Sequence, residues 1–395
     1  MNILTRISGD RKIQYTSIAL LFLIVNTWTY HQHGVKIVND SYRYLDYANN
    51  LHKGFYIDPY NIWYVGYAFY IFVIQSLHSG IEYIIMGQYA LGALAVVSLY
   101  CTSLNAWKNS FAAWFSCCVF IVFLDIAQWN SYVLTESLYT SFTCFSLYFL
   151  SLLYTGRRNY LLYTITILVV IFTFFIKPTG IALLGTVIIV LTFQVVQKLQ
   201  SRILRLAVQV AACVLTLLLA NRMLANYTIM ENYQLGEVIY AVTTLPLEPG
   251  YHSLVVTPPD NLYVPPPHYP PLLKIIAFVV HHPIYWSQLF FTKAFFLLAH
   301  VRPYWSAFHN GYAILFLLSC YFLLVKAMRS EKSNVLFLFA LLYLAIHAVS
   351  VCLTSEDWDG RFLMPMLPVI MLASGQGFLL LTKKLIEPAA VKSSF

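Results

Sequence analysis

Charge is what this 395-residue chain has least of: Asp, Glu, Lys and Arg make up 10% of it, against about 25% in an ordinary soluble domain. With 59% hydrophobic residues and a mean hydropathy of +0.68, that scarcity makes lipid the main solvent. Apolar runs of the roughly 20 residues that cross a bilayer as helix recur from one end to the other, which excludes a soluble domain on a single anchor. Clustered basic residues are also missing. The net charge is +8, yet Lys and Arg stand singly or in adjacent pairs between apolar runs, so the chain lacks the basic face of a nucleic-acid reader. No C-x-x-C spacing occurs. The seven cysteines (Cys101, Cys117, Cys118, Cys144, Cys213, Cys320 and Cys352) fall within or at the ends of apolar segments with no histidine nearby in sequence, the pattern of small core residues rather than of metal ligands or disulfides. A Gly-rich phosphate loop, an internal repeat and a coiled-coil heptad are absent as well.

What is present reads as an all-α, polytopic membrane protein forming a single domain over 1–395. About ten spans are expected, near 13–30, 83–103, 111–128, 134–154, 160–176, 181–197, 204–222, 311–328, 334–353 and 362–382. The first follows Arg6, Arg11 and Lys12 and has no small-residue cleavage site, so it reads as a retained signal-anchor. Ten crossings put both ends on one side. Taking that side as cytoplasmic puts inside Arg6, Arg11, Lys12, Lys108, Arg157, Arg158, Lys198, Arg202, Arg205, Lys326, Arg329, Lys332, Lys383, Lys384 and Lys392, 15 of the 24 basic residues, as the positive-inside rule requires. Two further apolar stretches, 61–79 and 272–300, would turn Arg157 and Arg158 outward if each crossed once. They are expected to lie at the outer interface or re-enter, with Trp63, Tyr64, Tyr67 and Tyr70 in one and Lys274, His281, His282, Tyr285, Trp286 and Lys293 in the other at headgroup level; a full hairpin is the alternative for either.

The outer side then carries most of the non-membrane chain: a first loop with juxtamembrane helices over 31–79, and a cap over 223–310. Within the cap, 246–271 is too rich in proline for helix and too aromatic for a disordered linker, so an ordered, extended loop is expected. In the first loop, NDSYRYLDYANNLHKG (39–54) places Asp40, Tyr44 and Tyr47 at helical spacing with Leu45, Ala48 and Leu51, an amphipathic helix on the membrane surface. Asp40 sits where that helix starts. It is either an N-cap or an interfacial carboxylate able to accept a proton from a hydroxyl or to ligate a metal. Asp46, six residues on, points about 120° away and is no partner for it.

The order of these motifs resembles the GT-C class of glycosyltransferases, which includes protein O-mannosyltransferases and lipid A aminoarabinose transferases. The shared features are an Asp-bearing juxtamembrane helix after the first span, an apolar interfacial helix, an acidic motif where the third span returns outward (WNSYVLTESLYTSF, 129–142), and an Arg-aromatic pair before a proline-spaced helix (DGRFLMPMLPVI, 359–370). The resemblance implies that Asp40 is the base that deprotonates an acceptor, whose oxygen then attacks the anomeric carbon of a polyprenyl-phosphate-linked sugar with inversion. Phosphate leaves readily, so cationic stabilisation outweighs general-acid help.

That demand points to basic residues at the outer face. Arg361 could hold phosphate bidentately or pair with Asp357 or Asp359. Lys177, in FFIKPTG, defies the inside rule and is a site candidate or a lipid-phosphate anchor. Glu136 could position sugar, ligate a divalent metal or cap its helix with Thr135. Arg302, in HVRPYW, could contact acceptor or donor, or lie at the membrane surface among aromatics. Asp125 reads better as a hydrogen-bonding group within the bundle, and His281 and His282, without H-x-x-x-H spacing, as surface or packing residues. The donor is thus expected to be a polyprenyl-phosphate sugar, the acceptor a glycan, lipid or protein, and the only cofactor a divalent metal at Asp40 and Glu136, if any. The place expected is a bacterial inner membrane, with the site facing the periplasm or exterior. Competing readings are a flippase or transporter of lipid-linked sugars, which would place charges on broken helices near midplane, and a glycan polymerase or ligase using an oligosaccharide donor.

Overall fold

A computed structural model describes residues 3–156, 159–245, 249–330 and 334–386. Arg157, Arg158, Lys332 and Lys392, which the inside-positive reading uses, lie outside these residues, as do the first three positions of the proline-rich stretch. The chain is all-helical, with 17 α-helices and no β-strand among the described residues. It divides into two compact units, one made of 1–177, 318–340 and 364–395, the other of 178–317 and 341–363. Nothing in the hydropathy pattern announces that interleaved division.

The first unit begins with α1 (Ile3–Gly9), α2 (Arg11–His33), α3 (Asn39–Leu51), α4 (Val65–Leu77), α5 (Ile81–Trp107), α6 (Ser110–Val122), α7 (Leu124–Trp129), α8 (Thr135–Tyr154) and α9 (Tyr160–Ile176). Polar residues set several of the boundaries. Asp10 accepts the Lys12 N–H at 2.8 Å, Asn109 those of Phe111 and Ala112, and Asn159 that of Leu162, each satisfying donors that a helix start leaves open. The second unit opens with α10 (Ile181–Lys198), α11 (Arg202–Leu224), α12 (Ile229–Leu235), α13 (Pro271–His281) and α14 (Pro283–Ala299). Helices α15 (Ala307–Ser330) and α16 (Val335–Leu353) each contribute part of their length to both units, and α17 (Leu367–Ile386) returns to the first. There Gly377 lets α17 come so close to α15 that a Cβ would sit 2.0 Å from the Leu323 carbonyl oxygen, the small-residue contact common between membrane helices.

Among the described residues, six helices are long and apolar enough to cross a membrane: Ile81–Trp107, Pro178–Lys198, Arg202–Leu224, Ala307–Ser330, Val335–Leu353 and Met364–Lys383. Their exposed faces are apolar. On α11, Ile203 is 83% and Leu218 63% exposed, which in water would be an aggregating surface and in lipid is the required one. The other four expected spans are helical but less uniform. Within 111–128, α6 ends and α7 begins at Phe123, whose backbone is extended. The span expected over 160–176 has only 17 residues as α9. Over 134–154, α8 is rich in Ser and Thr, and α2 carries polar and basic groups.

The stretch 61–79 forms a 3-10 turn (Asn61–Tyr64) followed by α4, and 272–300 is two helices parted at His282, ahead of Pro283. A proline cannot continue the preceding helix without losing a hydrogen bond. The proline-rich segment is extended only after a 3-10 turn at Pro249–Leu254. Val255 and Glu356 form isolated bridges to Glu237 and Ile239, and this knot of extended chain closes over Tyr233, Val238, Ile239 and Phe278.

Candidate functional site

Gly34 ends α2 at a positive φ of 59°, a backbone conformation that favours glycine. The chain beyond it is stitched to the loop before α8: Lys36 N–H donates to the Ser131 carbonyl at 2.9 Å, and Val133 N–H to the Lys36 carbonyl at 3.0 Å. Held by that short pairing, α3 starts at Asn39. Its N-cap is Val38, whose N–H donates to the Ser41 hydroxyl at 3.0 Å. Asp40 therefore lies in the first turn, where the helix dipole favours a carboxylate, without being the cap. Its carboxylate is 33% exposed and meets Arg43, one turn on, at 3.4 Å.

The amphipathic reading of α3 matches what is found: Ser41, Tyr44, Tyr47 and Ala48 are buried, while Tyr42, Asp46 and Asn49 face outward. Arg43 is caged. Its guanidinium carbon lies 4.6 Å from the ring centre of Tyr64, 4.9 Å from Tyr44 and 5.3 Å from Tyr60, within the range of cation–π attraction, and it donates to the Tyr44 hydroxyl at 3.0 Å. Burial opposes its charge, but Tyr44, Tyr64 and Asp40 outweigh that and hold its pKa above the ordinary value. Its Nε is buried with no hydrogen-bond partner, as is the Nε1 of Trp63. Nothing in the sequence reading singled out Arg43. The signal was its i,i+3 spacing from Asp40.

Behind this surface lies a polar line. Tyr67 donates to Gln88 at 2.8 Å, Gln88 donates to the carbonyls of Asn130 and Tyr132, and Asn130 joins Asn26 at 3.1 Å and Ser137 at 2.6 Å. Asn26, Asn130, Ser137, Thr140 and Ser141 border a cavity of about 20 Å³, room for one water. Glu136 opens α8 fully buried, with Lys177 at 2.6 Å. Gly66 brings α4 against the end of α9, where a Cβ would lie 3.0 Å from the Phe175 backbone, and so packs the residues just before Lys177. Burial, then neighbouring tyrosines, then the charge on Glu136 raise the Tyr67 pKa, and Tyr44 is raised by the same kinds of cause. On the surface of the first unit, α2 and α5 flank an apolar groove of about 610 Å³ walled by Ile18, Phe22, Leu23, Val97 and Tyr100.

Asp40, Glu136 and Lys177 are thus in the first unit, and Arg302 and Arg361 in the second. Arg302 is sealed. Its Nε donates to the carbonyls of Asp357 and Trp358, its two terminal nitrogens donate to those of Phe296, Val301 and Asp357, and Glu356 lies 3.1 Å away, with neither side chain exposed. Every guanidinium nitrogen is engaged within the protein. Arg361 meets Asp357 at 2.9 Å and keeps 21% of its side chain exposed. Lys293, expected at headgroup level, is instead completely buried and donates to the Thr354 carbonyl at 2.6 Å. Burial pushes its pKa down to about 7 against the opposing pull of Cys352, Glu237 and Glu356. It turns inward because its neighbours on α14 are apolar and a carbonyl awaits it. His281 stacks on Tyr263 at 3.8 Å, and His282 Nε2 accepts the Tyr263 N–H at 2.7 Å, the packing roles expected of them.

A divalent metal does not suit Asp40 and Glu136 as they stand, because each carboxylate already has a cation beside it, Arg43 and Lys177. No protein-family model matches the chain, and no curated protein matches it.

Proposed function

We propose that this chain is a membrane glycosyltransferase of the GT-C kind, moving a monosaccharide from a polyprenyl-phosphate carrier to an acceptor on the non-cytoplasmic face. The observation that carries the reading is Asp40: a one-third exposed carboxylate in the first turn of a juxtamembrane helix, directly after α2, with a guanidinium alongside. In that role Asp40 takes the proton of an acceptor hydroxyl as its oxygen bonds to the anomeric carbon. The bond from that carbon to the carrier phosphate breaks, and polyprenyl phosphate leaves with the electron pair. A base aligned this way contributes roughly 10²- to 10⁴-fold.

The apolar groove between α2 and α5 supports the reading, being of a kind that accepts an isoprenoid tail. Lys177 and Glu136 support the loop–helix junctions around Asp40 as a buried pair. Arg361, with a fifth of its side chain exposed, is the second unit's phosphate candidate, and Arg302 acts as scaffold. The topology proposed has about ten crossings: the six apolar helices, joined by α2, α6 with α7, α8 and α9. It places the site at the periplasmic or exterior face of a bacterial inner membrane.

The experiment reconstitutes purified protein in vesicles with short-chain prenyl-phosphate sugars and candidate glycan, lipid and peptide acceptors, and follows prenyl phosphate release. Release that depends on acceptor supports a transferase. Transbilayer movement of the intact donor without release would replace it with a flippase, and acceptance of only oligosaccharide donors would make it a polymerase or ligase.

A further inference from the structure

Arg43 differs from the buried paired cations Arg302 and Lys177 in how its hydrogen bonds are completed. Arg302 spends every nitrogen on protein acceptors, and Lys177 sits 2.6 Å from its carboxylate. Arg43 stands 3.4 Å from Asp40, longer than the 2.7–2.9 Å of a well-formed charge-assisted bond, and its buried Nε has no partner. Three tyrosine faces hold the guanidinium in place, so Asp40 is not needed to keep it there. An unpartnered buried N–H is costly, and the group that completes it must bring acceptor oxygens and tolerate a neighbouring carboxylate.

Building on the transferase reading, we propose that Arg43 is a switch shared by Asp40 and the phosphate of the lipid-linked ligand. When the phosphate arrives, its oxygens take the Arg43 N–H groups, including Nε, and the guanidinium leaves Asp40. A carboxylate without its cation holds a proton more readily, so Asp40 becomes a better base only when a donor is in place. Arg43 is in this sense both a ligand-binding residue and the positioning partner of Asp40.

The test is the binding of farnesyl phosphate to purified full-length protein in detergent, with farnesol and inorganic phosphate as comparison ligands. Wild type, Asp40→Asn, Arg43→Gln, Arg43→Lys and the Asp40→Asn/Arg43→Gln pair are compared, each checked for helix content and a single elution peak. Asp40→Asn removes the competitor for Arg43 and should bind farnesyl phosphate roughly three- to fivefold tighter, the scale of a partly exposed ion pair. Arg43→Gln should bind roughly tenfold weaker or worse, the scale of lost charge-assisted hydrogen bonds, with Arg43→Lys in between. The gain from Asp40→Asn should vanish in the double variant.

A gain that persists without Arg43 is simple charge repulsion and overturns the switch, as does unchanged or weaker binding by Asp40→Asn. Inorganic phosphate bound as tightly as farnesyl phosphate overturns the lipid-linked ligand. Farnesyl phosphate binding that ignores Arg43 overturns this inference and leaves the transferase standing. No binding by well-folded wild type removes both.

Discussion

In the first unit a carboxylate meets a guanidinium at 3.4 Å, a third of the carboxylate is exposed and one guanidinium N–H has no partner. In the second, Arg302 meets Glu356 at 3.1 Å with neither side chain exposed and every guanidinium nitrogen on an acceptor. The same two functional groups thus make an open pair and a sealed one. Sealing suits a scaffold: a buried guanidinium is tolerated only when its hydrogen bonds are met, and Arg302 meets its own on the backbone carbonyls of Asp357, Trp358, Phe296 and Val301. Incompleteness suits a site, because the missing hydrogen bonds are those a ligand supplies.

The largest effect that would sharpen this contrast is on chemistry. Asp40→Asn should lower the transfer rate by about 10²- to 10⁴-fold while leaving thermal unfolding in detergent nearly unchanged, since Val38 and Ser41 rather than Asp40 hold the helix start. The opposite signature is expected of Arg302→Met. Stranding the Glu356 charge in a sealed site should cost about 3–5 kcal/mol, read as a lower denaturation midpoint, and Arg302→Met/Glu356→Leu should recover much of it. If Arg302→Met proves as stable as wild type, the sealed pair is not the scaffold described.

Next comes a pH effect confined to the second unit. Lys293 titrates near 7 when folded and at the ordinary 10.5 when unfolded. Between those values the unfolded chain holds a proton the folded chain lacks, so this group makes stability rise with pH across that window. Comparing unfolding midpoints at about pH 7 and about pH 9 should show that rise in wild type and a smaller one in Lys293→Met. The smallest effect belongs to Asp46→Asn: exposed on α3 and turned away from Asp40, it should shift stability by less than about 0.5 kcal/mol and leave transfer intact.

The amphipathic α3 was legible because Tyr44, Tyr47 and Ala48 repeat at helical spacing, and the long apolar helices because their length and composition leave few alternatives. Breaks inside helices were harder to read. Phe123 parts α6 from α7 with no proline or glycine to mark it. Partners distant in sequence were harder still: Glu136 with Lys177 is a pairing across 41 positions and Arg302 with Glu356 across 54, and no local pattern specifies either. Arg302 looked like a ligand-binding cation because burial cannot be read from a single charged residue between aromatics, and Lys293 looked interfacial for the same reason. Arg43 was the opposite case, a near neighbour of Asp40 whose aromatic cage is assembled by residues 44, 60 and 64 only once the loop folds back.

The most direct measurement of the central claim is the initial rate of prenyl phosphate release from a short-chain prenyl-phosphate sugar by wild type, Asp40→Asn and Asp46→Asn at equal folded fraction. The account predicts release by wild type and Asp46→Asn and near-background release by Asp40→Asn. Wild-type rates from Asp40→Asn would contradict it.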